Sequence, residues 1–129
     1  MAIKINLEKA YDKLEWSFIR EMLIKINFPQ GIIKLIISCI SLVTTSILVN
    51  GVRLEQISPS RGIGQGDPLS PYIFIICMDL FSQLIEDQCS SKRWTPMKST
   101  RGGLAFSHLF FADDLVLFAK ADQANCTTI

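Results

Sequence analysis

Two adjacent carboxylates, Asp113 and Asp114, stand between two short runs of large apolar residues, Leu109-Phe110-Phe111-Ala112 and Leu115-Val116-Leu117-Phe118. Apolar runs of this length, rich in Phe and Val and interrupted by acids, predict a β-hairpin with the acid pair at or beside its turn. Neighbouring like charges repel and resist burial. A cation between them removes that cost. Mg²⁺ suits the position, because it takes oxygen ligands and is commonly held by one or two carboxylates together with substrate phosphates. Asp is also a common turn residue, and the dipeptide taken alone reads as a polar turn.

Two further stretches bear on that choice. Lys4-Ile5-Asn6-Leu7-Glu8-Lys9-Ala10-Tyr11-Asp12 gathers charges, an amide and an aromatic ring near the N-terminus. Arg61-Gly62-Ile63-Gly64-Gln65-Gly66-Asp67-Pro68-Leu69-Ser70-Pro71 contains three glycines. Glycine lets backbone approach a ligand closely, because no Cβ intervenes.

The elements that must position these groups follow from local pattern. Residues 2–7 alternate weakly and predict a strand, and Ala10-Tyr11-Asp12 turns the chain. Asp12 and Glu15 have capping-box spacing, which predicts a helix starting there. Leu14, Phe18, Met22 and Ile26, with Ile19 and Leu23 beside them, give that helix one apolar face. Pro29 closes it and opens a second helix to about Leu42, with the proline in its first turn. Residues 45–49 and 52–57 flank Asn50-Gly51, a pair suited to the positive φ angles of a type I′ hairpin turn. Ser70-Pro71 predicts the cap and first position of a long helix. Its apolar stripe runs through Ile73, Ile76, Cys77, Leu80, Phe81, Leu84 and Ile85, and Phe74, Ile75 and Met78 widen it, so most of this helix is expected to be buried. Residues 88–103 are polar, carry Lys92, Arg93, Lys98 and Arg101, and predict a loop or weak strand pair. Residues 121–129 read as a featureless tail.

Composition bounds the function. The 129 residues suit one domain. With 49% of them apolar and 19% charged, there is ample material for a core. A mean hydropathy of +0.32 implies deep burial or apolar surface meant for a partner. The net charge of +1 excludes a global pull towards nucleic acid, so any basic groove is local. Cys39, Cys77, Cys89 and Cys126 form no CxxC pair and no pairing with the lone His108, which argues against zinc and for a reduced, intracellular chain, in cytoplasm or nucleus. His108 reads as a strand-edge residue. No signal peptide is visible. The most apolar window, residues 31–49, carries Lys34, and its uncharged part is short for a membrane span.

The three stretches, in this order and at these separations, resemble the palm of reverse transcriptases, and most closely the LINE-type (non-LTR) retrotransposon class. The resemblance runs from Ile3 to about Lys120. It implies an α+β fold: a palm-like antiparallel sheet holding the Asn6 strand and the Asp113–Asp114 hairpin, with helices packed on one face, plus the Asn-Gly hairpin. It implies RNA-directed DNA polymerase chemistry on an RNA template, a DNA primer and deoxynucleoside triphosphates. In that chemistry a 3′ hydroxyl attacks an α-phosphate, and two metal ions about 3.5–4 Å apart clamp the attacking and leaving oxygens. Asp113 and Asp114 are implied as metal ligands for two Mg²⁺ or Mn²⁺ ions. Leu7, Tyr11, Gln65 and Gly66 are implied as nucleotide-binding, with Tyr11 under the sugar, excluding a ribose 2′ hydroxyl, and Gln65-Gly66 packed on the incoming nucleotide and template.

The sequence departs from the family at the third catalytic carboxylate, whose position is held by Asn6. A neutral carbonyl oxygen where an anionic ligand is wanted weakens both metals. Loss of one well-placed electrostatic group commonly costs about 10²–10³ in rate. Asp12 is read as a helix cap rather than a substitute ligand. Gly64 stands where the family usually has Arg, removing a cation. Residues 1–129 begin at the first palm strand, so fingers are expected before it and a thumb after Ile129. The resulting expectation is a partial polymerase domain, inactive as it stands, with weakly bound ions if any and exposed apolar patches. Two other readings stay open: a non-catalytic remnant binding nucleic acid or protein, with the basic segment from Lys92 to Arg101 as its charge feature, and a two-metal nuclease built on Asp113 and Asp114.

Overall fold

The computed structural model describes residues 1–100 and 102–128. In chain order the elements are β1 (Ala2–Asn6), α1 (Ala10–Lys13), α2 (Trp16–Lys25), α3 (Gln30–Ser41), β2 (Thr45–Val49), β3 (Val52–Ile57), α4 (Ser70–Ser90), β4 (Met97–Lys98), β5 (Ala105–Phe106), β6 (His108–Phe111), β7 (Asp114–Phe118) and α5 (Gln123–Thr128). Helices thus mix with antiparallel strands, and they form two compact units: Met1–Glu8 with Ile75–Ile129, and Lys9–Phe74.

The first unit is built on a three-stranded antiparallel sheet in the order β1-β7-β6. Side chains alternate across a sheet, so the register assigns each residue to a face. Ile5, Leu115 and Phe110 form one cross-strand row, and Ile3, Leu117 and His108 the next. On this face Leu115 and Leu117 are buried with Ile85, Trp94 and Ala119, while Ile3, Phe110, Cys89 and Met1 pack around them. The Trp94 indole donates to the Phe118 carbonyl at 3.0 Å. His108 bridges two hydroxyls, Ser82 at 2.7 Å and Ser107 at 2.9 Å. Burial lowers its pKa below the ordinary 6.5. The segment after β7 is not featureless: Asp122 accepts from the Asn125 backbone N–H at 3.0 Å and from its side-chain amide at 2.7 Å. That caps the start of α5, and the Asn125 carbonyl oxygen accepts from the Thr95 backbone N–H at 2.7 Å. Asp122 was a local cap signal for this helix, but six residues without an apolar stripe give no helical periodicity to read. Of the basic segment, Arg93 donates to Ser91 and Lys98 lies on β4, which pairs with β5. Arg101 lies outside the described residues.

The second unit packs α2 and α3 through Ile19, Met22, Leu23 and Ile33, all almost fully buried. The apolar face is centred on Ile19, Met22 and Leu23 rather than on Phe18, which is 40% exposed. No helix starts at Asp12. Helix α1 ends at Lys13, Leu14 is extended, and α2 begins at Trp16 with no side-chain cap. The reason is tertiary. Gly62 N–H donates to Leu14 O at 2.7 Å, Ile63 N–H to Tyr11 O at 2.9 Å, and the Trp16 indole to Gly62 O at 2.8 Å. These bonds hold residues 11–14 against 62–63, which a continuous helix could not allow. Gly62 has φ +90°, and a Cβ there would meet Asp12 O at 2.9 Å. The end of α2 is set by Asn27 rather than Pro29: Asn27 has φ +60°, and Phe28 N–H bonds to Leu23 O while Asn27 N–H bonds to Ile24 O. This is a Schellman ending. Pro29 takes the cap position of α3, one residue before the first turn. Strands β2 and β3 pair antiparallel, and Asn50 and Gly51 between them both have positive φ.

Helix α4 is capped by Asp67 instead of Ser70. Leu69 N–H donates to Asp67 Oδ1 at 2.7 Å and Ser70 N–H to Asp67 O at 3.2 Å, while the buried Ser70 hydroxyl has no partner among the described residues. The helix is less buried than its composition implied. Ile73, Phe74, Cys77, Leu80 and Ile85 are inside, but Ile75 is 61% and Leu84 45% exposed. Apolar side chains all round a helix do not decide which of them find partners. No helix among the described residues is long and apolar enough to cross a membrane.

Gly62→Ala is expected to destabilise by about 2–4 kcal/mol, combining left-handed strain with backbone overlap; an unchanged urea midpoint by circular dichroism contradicts it. Trp94→Phe orphans the Phe118 carbonyl and is expected to cost about 1–3 kcal/mol in the same assay. Because the fold favours neutral His108, the stability it contributes is full above pH 6.5 and is lost as pH falls below that value. His108→Gln should flatten that part of the stability profile against pH.

Candidate functional site

The three-stranded sheet has a second face, and it carries Asp114, with Asp113 in the turn just before it. Asn6, Asp114 and Phe111 form one cross-strand row, and Lys4, Val116 and Leu109 the next. This is the more open side of the sheet: Phe111 is 80% and Leu109 59% exposed. A strand that alternates core and solvent residues must send Lys4 and Asn6 to the same side.

The turn between β6 and β7 is two residues long, Ala112 and Asp113. Ala112 has φ +52°, a region that costs an L-residue with a Cβ about 1–2 kcal/mol. Reversing the chain so tightly places Asp113 at the tip and Asp114 as the first residue of β7. Leu7 N–H donates to Asp113 O at 2.9 Å, which ties the turn to the end of β1. Asn6 Nδ2 donates to Asp114 Oδ1 at 3.3 Å. Lys4 Nζ lies 2.9 Å from Asp114 Oδ2. Residue 6 and the acid tandem, 108 positions apart, are therefore neighbours.

These residues do not fit a pair of divalent ions. The side-chain cluster consists of the Asp114 carboxylate, the Asn6 amide and the Lys4 ammonium, and Asp113 precedes it in the turn. Among the described residues, no group of three or more His, Cys, Asp or Glu side chains could hold a metal. Both oxygens of Asp114 already face N–H donors, from Asn6 and from Lys4.

The remaining residues singled out from sequence lie in the second unit, apart from the half-buried Leu7. The Tyr11 ring stacks on Phe74, with centroids 4.7 Å apart and planes 18° from parallel, and its backbone carbonyl accepts from Ile63. Gln65 is exposed on a turn, and Gly66 beside it has φ +92°. Gly64 lines a cleft of about 310 Å³ with Asp12, Arg61 and Thr45 over a floor that includes Ile40 and Ile63. A Cβ at Gly64 would meet only Asp67 Cβ, at 3.9 Å, so the backbone there has room for a side chain. Arg61 reaches Glu15 at 3.4 Å, an exposed pair of the kind worth about 0–1 kcal/mol. The cysteines are free, and burial pushes the Cys77 thiol up to about 11, so it is no nucleophile at neutral pH.

Sequence reasoning passed over Lys4 and Ala112. The period-two spacing of Lys4 and Asn6 was a signal that both share a face, but only the register with β7 shows which acid they meet. Ala112 carried no signal, since alanine is not a residue that announces positive φ.

The chain matches the family model described as reverse transcriptase (RNA-dependent DNA polymerase) over residues 1–128. It is 32% identical over 128 residues to a retrovirus-related Pol polyprotein from a type-1 retrotransposable element R2 of Popillia japonica, covering 98% of this chain and 17% of that protein. It is 31% identical over 116 residues to the Pol polyprotein from a type-2 retrotransposable element of Drosophila melanogaster, covering 90% of this chain and 10% of that one. An uncharacterized mitochondrial protein of Arabidopsis thaliana is 39% identical over 67 residues, 52% of this chain and 55% of its own length. The chain thus spans a tenth to a sixth of the Pol polyproteins and about half of the Arabidopsis protein. Motif order, the pairing of the Asn6 strand with the acid hairpin and the family match agree: the chain belongs to the reverse transcriptase (RNA-dependent DNA polymerase) family, in its LINE-type, non-LTR retrotransposon branch.

Proposed function

We propose that residues 1–129 are a partial reverse transcriptase domain, a palm module whose nucleotidyl-transfer centre is disabled at Asn6. The observation that carries this reading is the Asn6 amide donating into the Asp114 carboxylate. An aspartate at that position would set two anions side by side and demand a cation; asparagine satisfies its neighbour without one. In this reading Asp113 and Asp114 are what remains of the metal ligands, and Mg²⁺ or Mn²⁺ binds weakly if at all. The sheet with β1 beside the acid hairpin is the palm surface, backed by helices on its core face. Leu7, Tyr11, Gln65 and Gly66 are nucleotide-contacting positions. Tyr11, fixed by stacking on Phe74, offers a rigid ring edge for sugar discrimination, and the exposed turn at Gln65-Gly66 leaves backbone open to a base or phosphate. The substrates the reading implies are an RNA template, a DNA primer and deoxynucleoside triphosphates.

Primer extension on an RNA template tests this, with the chain fused to fingers and thumb borrowed from an active relative. The parent fusion is expected to be inactive, Asn6→Asp to gain at least about 10²-fold, and Asn6→Asp with Asp113→Ala to lose that gain. Equal activity of the parent and Asn6→Asp fusions refutes the disabling role of Asn6. Activity that survives Asp113→Ala removes the assigned site.

A further inference from the structure

The Lys4–Asp114 pair has no part in the reading above. Lys4 sits diagonally across β1–β7 from Asp114, on the same face as Asn6, at a separation within reach of long side chains. Its ammonium lies 2.9 Å from Oδ2, the oxygen that Asn6 leaves free. The lysine stem is 64% exposed and Asp114 29%, so the pair adds little to stability. Its position is what matters: the charge stands on the carboxylate oxygen that a divalent cation would have to bind.

We propose that Lys4 is the built-in counter-ion of Asp114, a positioning residue that keeps the acid face neutralised without metal and that any divalent cation must displace. The proposal rests on the reading of Asp113–Asp114 as the remnant of a cation site. Two devices then keep cations out. Asn6 lowers the negative charge of the site by one, and Lys4 occupies the remaining charged oxygen. They act on the same carboxylate but at different atoms, so they can be removed separately.

The test is Mn²⁺ binding by the full 129-residue chain, read from the electron paramagnetic resonance signal of the free ion, together with the Mn²⁺-induced shift in melting temperature. Neither readout depends on polymerase activity. Asn6→Asp is expected to bind Mn²⁺ measurably, and Asn6→Asp with Lys4→Met to bind it about fivefold more tightly, the upper range for an exposed charge pair. Asn6→Asp with Lys4→Arg, which retains the charge, should stay at the Asn6→Asp level. The rise in melting temperature with Mn²⁺ should follow the same order, and circular dichroism of the metal-free variants checks that each is folded. Equal affinity with and without Lys4→Met, combined with loss of binding on Asp114→Ala, overturns the counter-ion role and leaves the cation-site reading intact. Binding by Asn6→Asp that is unaffected by Asp113→Ala and Asp114→Ala, or no binding by any variant, sinks the cation-site reading and the proposal with it.

Discussion

The acid face exists because β1, at the N-terminus, hydrogen-bonds along its whole length to β7. That pairing is pinned at both ends. Met1 and Ala119 exchange two bonds, from the Met1 amine to Ala119 O at 2.8 Å and from Ala119 N–H to Met1 O at 3.0 Å. At the other end Leu7 N–H holds Asp113 O. A one-residue slip would turn Asn6 and Lys4 towards the core and Ile3 and Ile5 towards water. The buried row of Leu115 and Leu117 with Ile85, Trp94 and Ala119 forbids that slip. The hydrophobic face therefore sets the register, and the register delivers residue 6 to Asp114.

Once the two strands are paired, electrostatics decides what residue 6 can be. An acid opposite Asp114 needs a cation, whereas an amide can donate a hydrogen bond. Charge-assisted hydrogen bonds to a carboxylate are stronger than neutral ones, but at an exposed face each is worth only about 1 kcal/mol or less. An amide at residue 6 is thus inexpensive for the fold. The family match over nearly all of the chain follows the sheet and the hairpin, which the core holds, and not the charge on one solvent-facing side chain.

A large share of the apolar surface remains open. Phe111, Leu104, Leu42, Leu48 and Val52 are each more than 60% exposed, and the β2–β3 hairpin is a separate two-stranded sheet. Two strands alone are marginal in water, and exposed apolar patches of this kind associate readily. The positive mean hydropathy is in this sense a surface property as much as a core one.

Much of this was readable from local chemistry. Alternation at residues 2–7, the apolar runs flanking Asp113 and Asp114, and the four-residue spacing around Met22 each mark an element, because side-chain periodicity reflects backbone geometry directly. The order of the three motifs marked the family, and Asn6 a departure from the family's pattern. Where local cues competed, tertiary contacts prevailed. The capping box at Asp12 lost to the bonds that Gly62 and Ile63 make with residues 11–14. Asp67 displaced Ser70 as the cap of α4, and α5 formed around a buried Asn125 that reaches back to Thr95. The sequence by itself determined which residue types were available for the site. Only the tertiary structure decided that Lys4 and Asn6 both meet Asp114, because strand register is a long-range property, set by which apolar rows can be buried together and not by the residues that the register happens to bring into contact.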